Sequence, residues 1–553
     1  MSPELPLALP PFADLVTLGG LAASVLGGVI TFAYGVRRHR KEDRRAEIGD
    51  TAAQVDQLRA QADKVFAYWT VADPAGESAE QVCMSVVHNG SDRPVFKAIL
   101  TVRRKYDGQS LKRDWPALEE GERRQVPIEA PAGRQARADD HQVRLLFRDA
   151  ADAFWLREDG RLGGLPSRLV LWAERRRADA LARRIEHDFG DLYGIRVTTE
   201  TGTVEELLTR FEELGTSSRA PDLLVGPHDW LGRLTGKGLL EEIVLTDGQR
   251  AAFEPAALAA MRVNGRSYGV PSVFDAVALV RNTDLAPDEP QTIEDLIATG
   301  RRLRARHGEG FRVLSLQVGP GGDAYHVWPL FAGAGGGLFE RYPDGGWDPQ
   351  RVRLGESVPA FEKLRALGER GERVLHPDLD REQAIEAFIQ GRTAFLICAS
   401  RALGDIAAAN ADRGPGRPPL SVAVSPVPAF AGRDRGPSLV SVYGFYVPVN
   451  GMNKALSRDL VGDYLAQPDV AASLAHAQRR PSAHVASSTE DPAVAAFAAE
   501  CRRGHVMPAF PFIKEVWSAF GETERRVISG ADPHRSTEAL DRTVRRIVAR
   551  RSS

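Results

Sequence analysis

From Arg168 onward the chain alternates strand, helix and strand, and this rhythm restricts the possible folds more than any other feature. RLVLW reads as a buried strand, an amphipathic helix follows around Ala180 to Phe189, and IRVTTE reads as a second strand. TVEELLTRFEEL is helical in pattern and PDLLVG is a third apolar strand. Alternation of this kind makes a parallel sheet with helices on its faces. MRV-Asn264-Gly265-RSYGV carries a type I′ hairpin signal that ends at Pro271. AVALVRN, RVLSLQV, TAFLICA, LSVAVSPVP and GFYVPVN supply further strands. The stretch is too long for one hydrophobic core, so two α/β lobes are expected.

The N-terminus obeys different rules. From Leu15 to Val36 no residue is charged, and at 1.5 Å per residue a helix there spans roughly 33 Å, enough to cross a bilayer core. No Lys or Arg precedes it, whereas Arg37, Arg38, Arg40, Lys41, Arg44 and Arg45 follow. The positive-inside rule puts the N-terminus outside and everything after Val36 in the cytoplasm. A cleaved signal peptide would need a basic leading region, which is missing. Gly20, Ser24 and Gly28 line one helix face, either for helix contact or because glycine is common in such segments. Ile48, Val55 and Ala62, with Leu58 and Val65 beside them, fit a short coiled coil or a helical stalk packed on the next domain.

Between these regions, QVCMSVVHN, PVFKAILTVRR, RRQVPIEA, QVRLLFRD and AFWLRED alternate apolar and polar residues, with turn clusters between them. They predict an antiparallel, immunoglobulin-like β-sandwich, with Arg157 to Ser167 as the linker that follows. The expected order is therefore an N-terminal tail over 1–14, a transmembrane helix over 15–36 and a basic juxtamembrane stalk over 37–66. The β-sandwich follows over 67–160, then a large α/β domain over 166–553.

Several chemistries are excluded or unsupported. Lys+Arg 72 against Asp+Glu 74 leaves a net charge of -2, with no basic excess for neutralising phosphates, so no nucleic-acid partner is expected. The 3 cysteines, Cys83, Cys398 and Cys501, lie far apart and read as buried apolar side chains. GRLTGKG lacks one residue of a phosphate loop, and Gly238 stands where Ser or Thr would bind magnesium, so it reads as a helix-to-loop turn. GPGGD and GAGGG lack dinucleotide spacing, no HExxH or GxSxG occurs, and the 12 histidines show no ligand spacing. No cofactor, metal or enzyme is expected.

Beyond these general patterns, a set of ordered segments carries a family likeness. RLVLWAERRRADALARRIEHDFGDLYGIRV, APDLLVGPHDWLGRLTGKGLLEEI and NGRSYGVPSVFDAVALVRNTDLAPDEPQTIEDLIA come first. DAYHVWPLFAGAGGGLF, AFIQGRTAFLICAS, VPVNGMNKALSRDLVGDYL and MPAFPFIKEVWSAFGETERRVISG continue it. In this order they resemble the maltose-binding-protein type of extracellular solute-binding protein, over about 166–553. The resemblance implies a two-lobed, periplasmic-binding-protein-like α/β fold with a sugar bound between lobes that close by hinge motion. Lobe one is then expected over about 168–275 and 443–490, and lobe two over about 278–440 and 491–553.

The likeness also implies ligand positions, whose chemistry suits a sugar: carboxylates accept from hydroxyls, Arg donates, and aromatic rings cover C–H faces. Asp229 matches a hydroxyl-binding aspartate, and Asp275 and Asp323 stand where the family has the longer glutamate. Tyr325 keeps a family tyrosine, and Arg177, with Arg176 beside it, falls at a lysine position. Trp517 matches a stacking tryptophan, and Trp328 a tryptophan that supports the cleft. Gly226 and Arg401 stand where the family has stacking tryptophans, and Trp230 replaces a basic residue. These departures imply a ligand other than maltose, smaller, more polar or anionic.

Two roles remain open: the binding component of an ABC-type sugar importer, with a permease as partner, or a cytoplasmic-facing sugar sensor or scaffold that relays lobe closure to a protein. A glycoside hydrolase using Asp229 and Asp275 is the third and least favoured reading. Reporter fusions after Ser553 test the topology. The charge asymmetry predicts that a reporter active only in the cytoplasm is on; an active outside-only reporter would overturn that orientation.

Overall fold

Strands with one apolar face need a second layer to cover it, and the first part of the chain supplies both layers. The computed structural model describes residues 59–72, 82–105, 109–130, 135–137, 139–343, 345–412, 418–487 and 489–552. They fall into two compact units that divide at Gly164 and Leu165. The first holds strands β1 (Val65–Ala72), β2 (Val82–Asn89), β3 (Val95–Arg104), β4 (Ser110–Leu118), β5 (Arg123–Ile128), β6 (His141–Arg148), β7 (Phe154–Glu158) and β8 (Arg161–Leu165). They form antiparallel sheets in the orders β1-β2-β5 and β4-β3-β6-β7-β8. Val87 and Val126 of one sheet share a core with Leu100, Phe147 and Trp155 of the other. The indole Nε1 of Trp155 donates to Asp149 at 2.8 Å.

Two expectations change here. The supposed linker from Arg157 to Ser167 supplies part of a hairpin, because Asp159 (φ 44°) and Gly160 (φ 84°) take the left-handed conformations a type I′ turn requires. The Asp159 carboxylate also accepts the Val143 N–H at 3.0 Å. Val65, placed on a helical seam, begins β1 instead. The transmembrane span at 15–36 and most of the 37–66 stalk lie outside the described residues. Among the described residues, no helix is long and apolar enough to cross a membrane.

The second unit adds β9 (Arg168–Glu174), β10 (Arg196–Gly202), β11 (Leu223–Pro227), β12 (Arg262–Val263), β13 (Arg266–Ser267), β14 (Val270–Asp275), β15 (Val277–Asn282) and β16 (Ser315–Leu316). It continues with β17 (Phe339–Arg341), β18 (Trp347–Val352), β19 (Phe395–Ala399), β20 (Val422–Ser425), β21 (Leu439–Tyr446) and β22 (His505–Val506). The expected hairpin at Asn264-Gly265 forms, with Val263 opposite Arg266. One sheet runs β10-β9-β11-β21-β14 and another β16-β19-β15-β20, each the floor of a lobe. Both are mixed rather than parallel: β21 lies antiparallel to β11 and β14, and β15 antiparallel to β19 and β20. The cause is the crossing between lobes. Ala276 alone separates β14 from β15, so one extended run ends one sheet and starts the other, and β21 and β22 bring the chain back side by side.

Lobe two is cemented by aromatic packing. Phe331 lies 4.9 Å from Phe520 and 5.0 Å from Phe361, edge to face or tilted. Above this core the loop before helix Ala324–Gly333 presses on helix Ile513–Ile528. A Cβ on Gly322 (φ +77°) would come within 1.8 Å of the Gly521 carbonyl oxygen. Gly322→Ala should therefore destabilise the protein by at least about 2 kcal/mol. Gly404→Ala, where a Cβ inside helix Ala402–Ala411 meets nothing within 4 Å, should stabilise it by about 0.5–1 kcal/mol. Denaturant melts of both variants check the pair.

Candidate functional site

The site grows from the crossing strand. Asp275 is the last residue of β14, and the register Val277–Ala399 brings the N–H of Ser400 against it. Its buried carboxylate accepts that N–H at 2.7 Å through Oδ1, while Oδ2 faces Arg480 at 3.7 Å. Arg480 follows the helix Pro468–Gln478, so Asp275 joins groups from both lobes. The Arg480 guanidinium lies 5.3 Å from the centre of the Tyr443 ring, and that of Arg177 only 3.6 Å from it. Arg177, in the first turn of the helix that leaves β9, donates to Glu174 at 3.1 Å and to Gln478 at 2.6 Å. Burial, and then the charge of Arg480, bring the Arg177 pKa down to about 10.

Lobe two closes the group. The side chain of Arg401, half-buried where helix Ala402–Ala411 starts, has no hydrogen bond or ion pair among the described residues. Burial works against its charge, but Tyr443, Asp275, Asp323 and Tyr325 outweigh it and hold its pKa above the ordinary value. Asp323 caps the helix Ala324–Gly333: its carboxylate accepts the His326 N–H at 2.9 Å, contacts the His326 ring at the same distance, and accepts from Gln317. Burial works to raise its pKa, and His326 and Gln317 turn the shift downward. Beside it the phenol of Tyr325 is buried with no partner among the described residues, and burial pushes its pKa well up. Trp328 and Trp517 stand edge to face at 6.2 Å, both indole nitrogens likewise unpartnered.

Asp229 belongs to a second group, at the turn after β11. Gly226 has no side chain because the ring of Trp230 fills that space: a Cβ there would lie 2.1 Å from the indole. The tryptophan absent at 226 is thus answered by one at 230, which packs inward and is 4% exposed. Asp229 is half-buried, its Oδ1 atom buried and without a partner among the described residues, and burial raises its pKa. Next to it, His228 Nδ1 accepts the Val442 N–H at 3.1 Å, which fixes Nε2 as donor to the Met507 carbonyl at 2.9 Å. A neutral imidazole thereby pins β21 to the segment after β22.

Arg177, Asp275, Asp323, Tyr325 and Arg401 are therefore brought together, Trp328 and Trp517 lie in the lobe-two wall, and Asp229 and Trp230 form a separate patch. The side chain of Arg176 lies outside the described residues. Tyr443, Ser400 and Arg480 escaped sequence reasoning, because no local motif marks residues that meet only through the fold. Among the described residues no group of His, Cys, Asp and Glu is arranged to hold a metal. The cysteines are free and buried, and GRLTGKG is a helix end with Gly238 left-handed (φ 65°).

Comparisons with known proteins agree with this architecture. The model of a family described as bacterial extracellular solute-binding protein matches residues 184–499. A galactooligosaccharide-binding protein of Bacillus subtilis is 20% identical over 68% of this chain and 89% of its own length. A maltotriose-binding protein of Pyrococcus abyssi is 23% identical over 54% of this chain and 64% of its own. A maltooligosaccharide ABC transporter solute-binding lipoprotein of Streptococcus pneumoniae is 29% identical, over 26% of this chain and 34% of its own.

The imidazole pin has a pH signature. Burial lowers the His228 pKa below its ordinary 6.5, so below that pH the unfolded chain takes up a proton that the folded site refuses. Stability held above pH 6.5 is then lost as the pH falls toward the folded pKa. Gln at 228 can accept and donate in the same places without titrating. The wild type should therefore lose more melting temperature between about pH 7 and pH 5 than His228→Gln; equal losses would remove His228 as the acid-sensitive group.

Proposed function

The chain belongs to the bacterial extracellular solute-binding protein family, and from that premise we propose that it binds a carbohydrate in the cleft between its lobes and closes on it by hinge motion. One observation carries this reading. Tyr325 Oη, Ser400 Oγ, Arg480 Nη1 and Trp517 Nε1 are all buried without a hydrogen-bond partner among the described residues. An unsatisfied buried polar group costs about 1–3 kcal/mol. A polyhydroxylated ligand offers donors and acceptors to such atoms, and the half-buried Trp517 indole suits a sugar's C–H face. The three relatives, all named as oligosaccharide binders, support the same class.

In this reading the protein is held to the membrane by residues 15–36 and presents its ligand to an ABC-type permease; the streptococcal relative is named as the solute-binding lipoprotein of an ABC transporter. A second reading, a cytoplasmic-facing sensor that reports lobe closure to a protein partner, draws on the basic run from Arg37 to Arg45. The two share the cleft and differ in which side of the membrane it faces.

Titration calorimetry with gluco- and galacto-oligosaccharides tests the binding. Trp517→Ala should weaken it by about 1–3 kcal/mol if the indole is a stacking platform. Unchanged affinity in a folded variant would take Trp517 out of the site.

A further inference from the structure

Of the residues that family likeness made ligand-binding, Arg177 fits that role poorly. It is only 5% exposed. Its Nε donates to Glu174 at 3.1 Å and Nη1 to Gln478 at 2.6 Å, and its guanidinium lies 3.6 Å from the centre of the Tyr443 ring. Arg480 leans on the same ring at 5.3 Å and faces Asp275 at 3.7 Å. Two guanidiniums, each with a carboxylate beside it, thus brace one phenol through cation–π contacts, which strengthen when the cation is desolvated. The group held in place by all these contacts is the Tyr443 ring.

Tyr443 also stands where a ligand can reach. On β21 it lies level with Pro227, the last residue of β11, which runs parallel to β9. Ligands of open α/β sheets bind outside the carboxyl ends of such strands. The side chain is half-buried, and its Oη has no hydrogen bond among the described residues. The phenol oxygens of Tyr325 and Tyr446 are covered by protein; that of Tyr443 is not. From lobe two comes Arg401, likewise half-buried and unpartnered, and Ser400 before it is tied through Asp275 to the Arg480 side of the ring. A phenol donates and accepts, as a sugar hydroxyl does, so each can satisfy the other. We propose that Tyr443 Oη is a ligand contact that reads a saccharide hydroxyl, and that Arg177 is a positioning residue acting through the Tyr443 ring. This assignment rests on the carbohydrate reading above and adds to it the residue of lobe one that meets the sugar.

The test is titration calorimetry on the purified full chain, in a detergent without a sugar headgroup, with maltotriose and galactobiose as probes. Tyr443→Phe keeps the ring under Arg177 and removes only Oη. It should bind the saccharide roughly 3–10-fold more weakly at an unchanged melting temperature, the loss of one hydrogen bond. Arg177→Lys keeps the charge but not the planar fork that packs on the ring while reaching Glu174 and Gln478, so it should weaken binding as well. The two losses should not multiply: once Tyr443 is Phe, Arg177→Lys should cost less than about 2-fold more. Unchanged affinity in Tyr443→Phe overturns the inference and leaves the carbohydrate reading standing. An Arg177→Lys loss of the same size in both backgrounds overturns it too, by making Arg177 a ligand contact in its own right. A wild type that binds neither saccharide sinks both readings.

Discussion

The buried carboxylate of Asp275 holds the arrangement together. It sits at the end of β14, one residue before the chain crosses into the other sheet, and it takes a backbone N–H from lobe two while facing a guanidinium from lobe one. A carboxylate this deep is tolerated only when its oxygens are met. Meeting them fixes Ser400, hence the start of the helix that carries Arg401, and fixes Arg480, hence one neighbour of the Tyr443 ring. Arg177 then packs on Tyr443 and reaches Gln478 of the helix before Arg480. Removing the carboxylate would leave Arg480 buried without a counter-charge, a change that costs about 3–5 kcal/mol in comparable buried pairs.

The second strap works without charge. His228 reads two backbone groups at once, one on β21 and one beyond β22, so the returning strands are fixed in register by a neutral ring. Trp230 over Gly226 fills the adjoining space. Beside the Asp275 strap, Ser400 Oγ, Tyr325 Oη and Arg480 Nη1 are buried and unmet among the described residues. Packed walls with unmet polar atoms are what a binding cleft needs, since the walls keep their shape while the ligand supplies the missing partners.

Much of this was readable in the sequence, and the failures have physical causes. The βα rhythm after Arg168 marks the α/β lobes because period-two and period-3.6 patterns are local. Asn264-Gly265 forms its hairpin for the same reason, and Asp159-Gly160 carried an equal signal that was masked by the glycines after it. The direction of β21 against β11 was not legible, since pairing partners more than two hundred residues apart leave no local trace. Asp229, Asp275 and Arg401 were noticed through family likeness, but their partners were not. Asp323 is also a helix cap, a role that an Asp before an apolar helical run could have announced. Arg480 and Tyr443 had no such announcement; only the folded chain brings them beside Arg177.

Two lobes joined by these straps should close on a saccharide. Spin labels on Arg250→Cys in lobe one and Glu362→Cys in lobe two, both exposed, would report the interlobe distance by pulsed electron resonance, since the native cysteines are buried. Saturating saccharide should move the distribution to a shorter, narrower distance. A distribution unchanged by every saccharide tried would contradict hinge closure on a sugar.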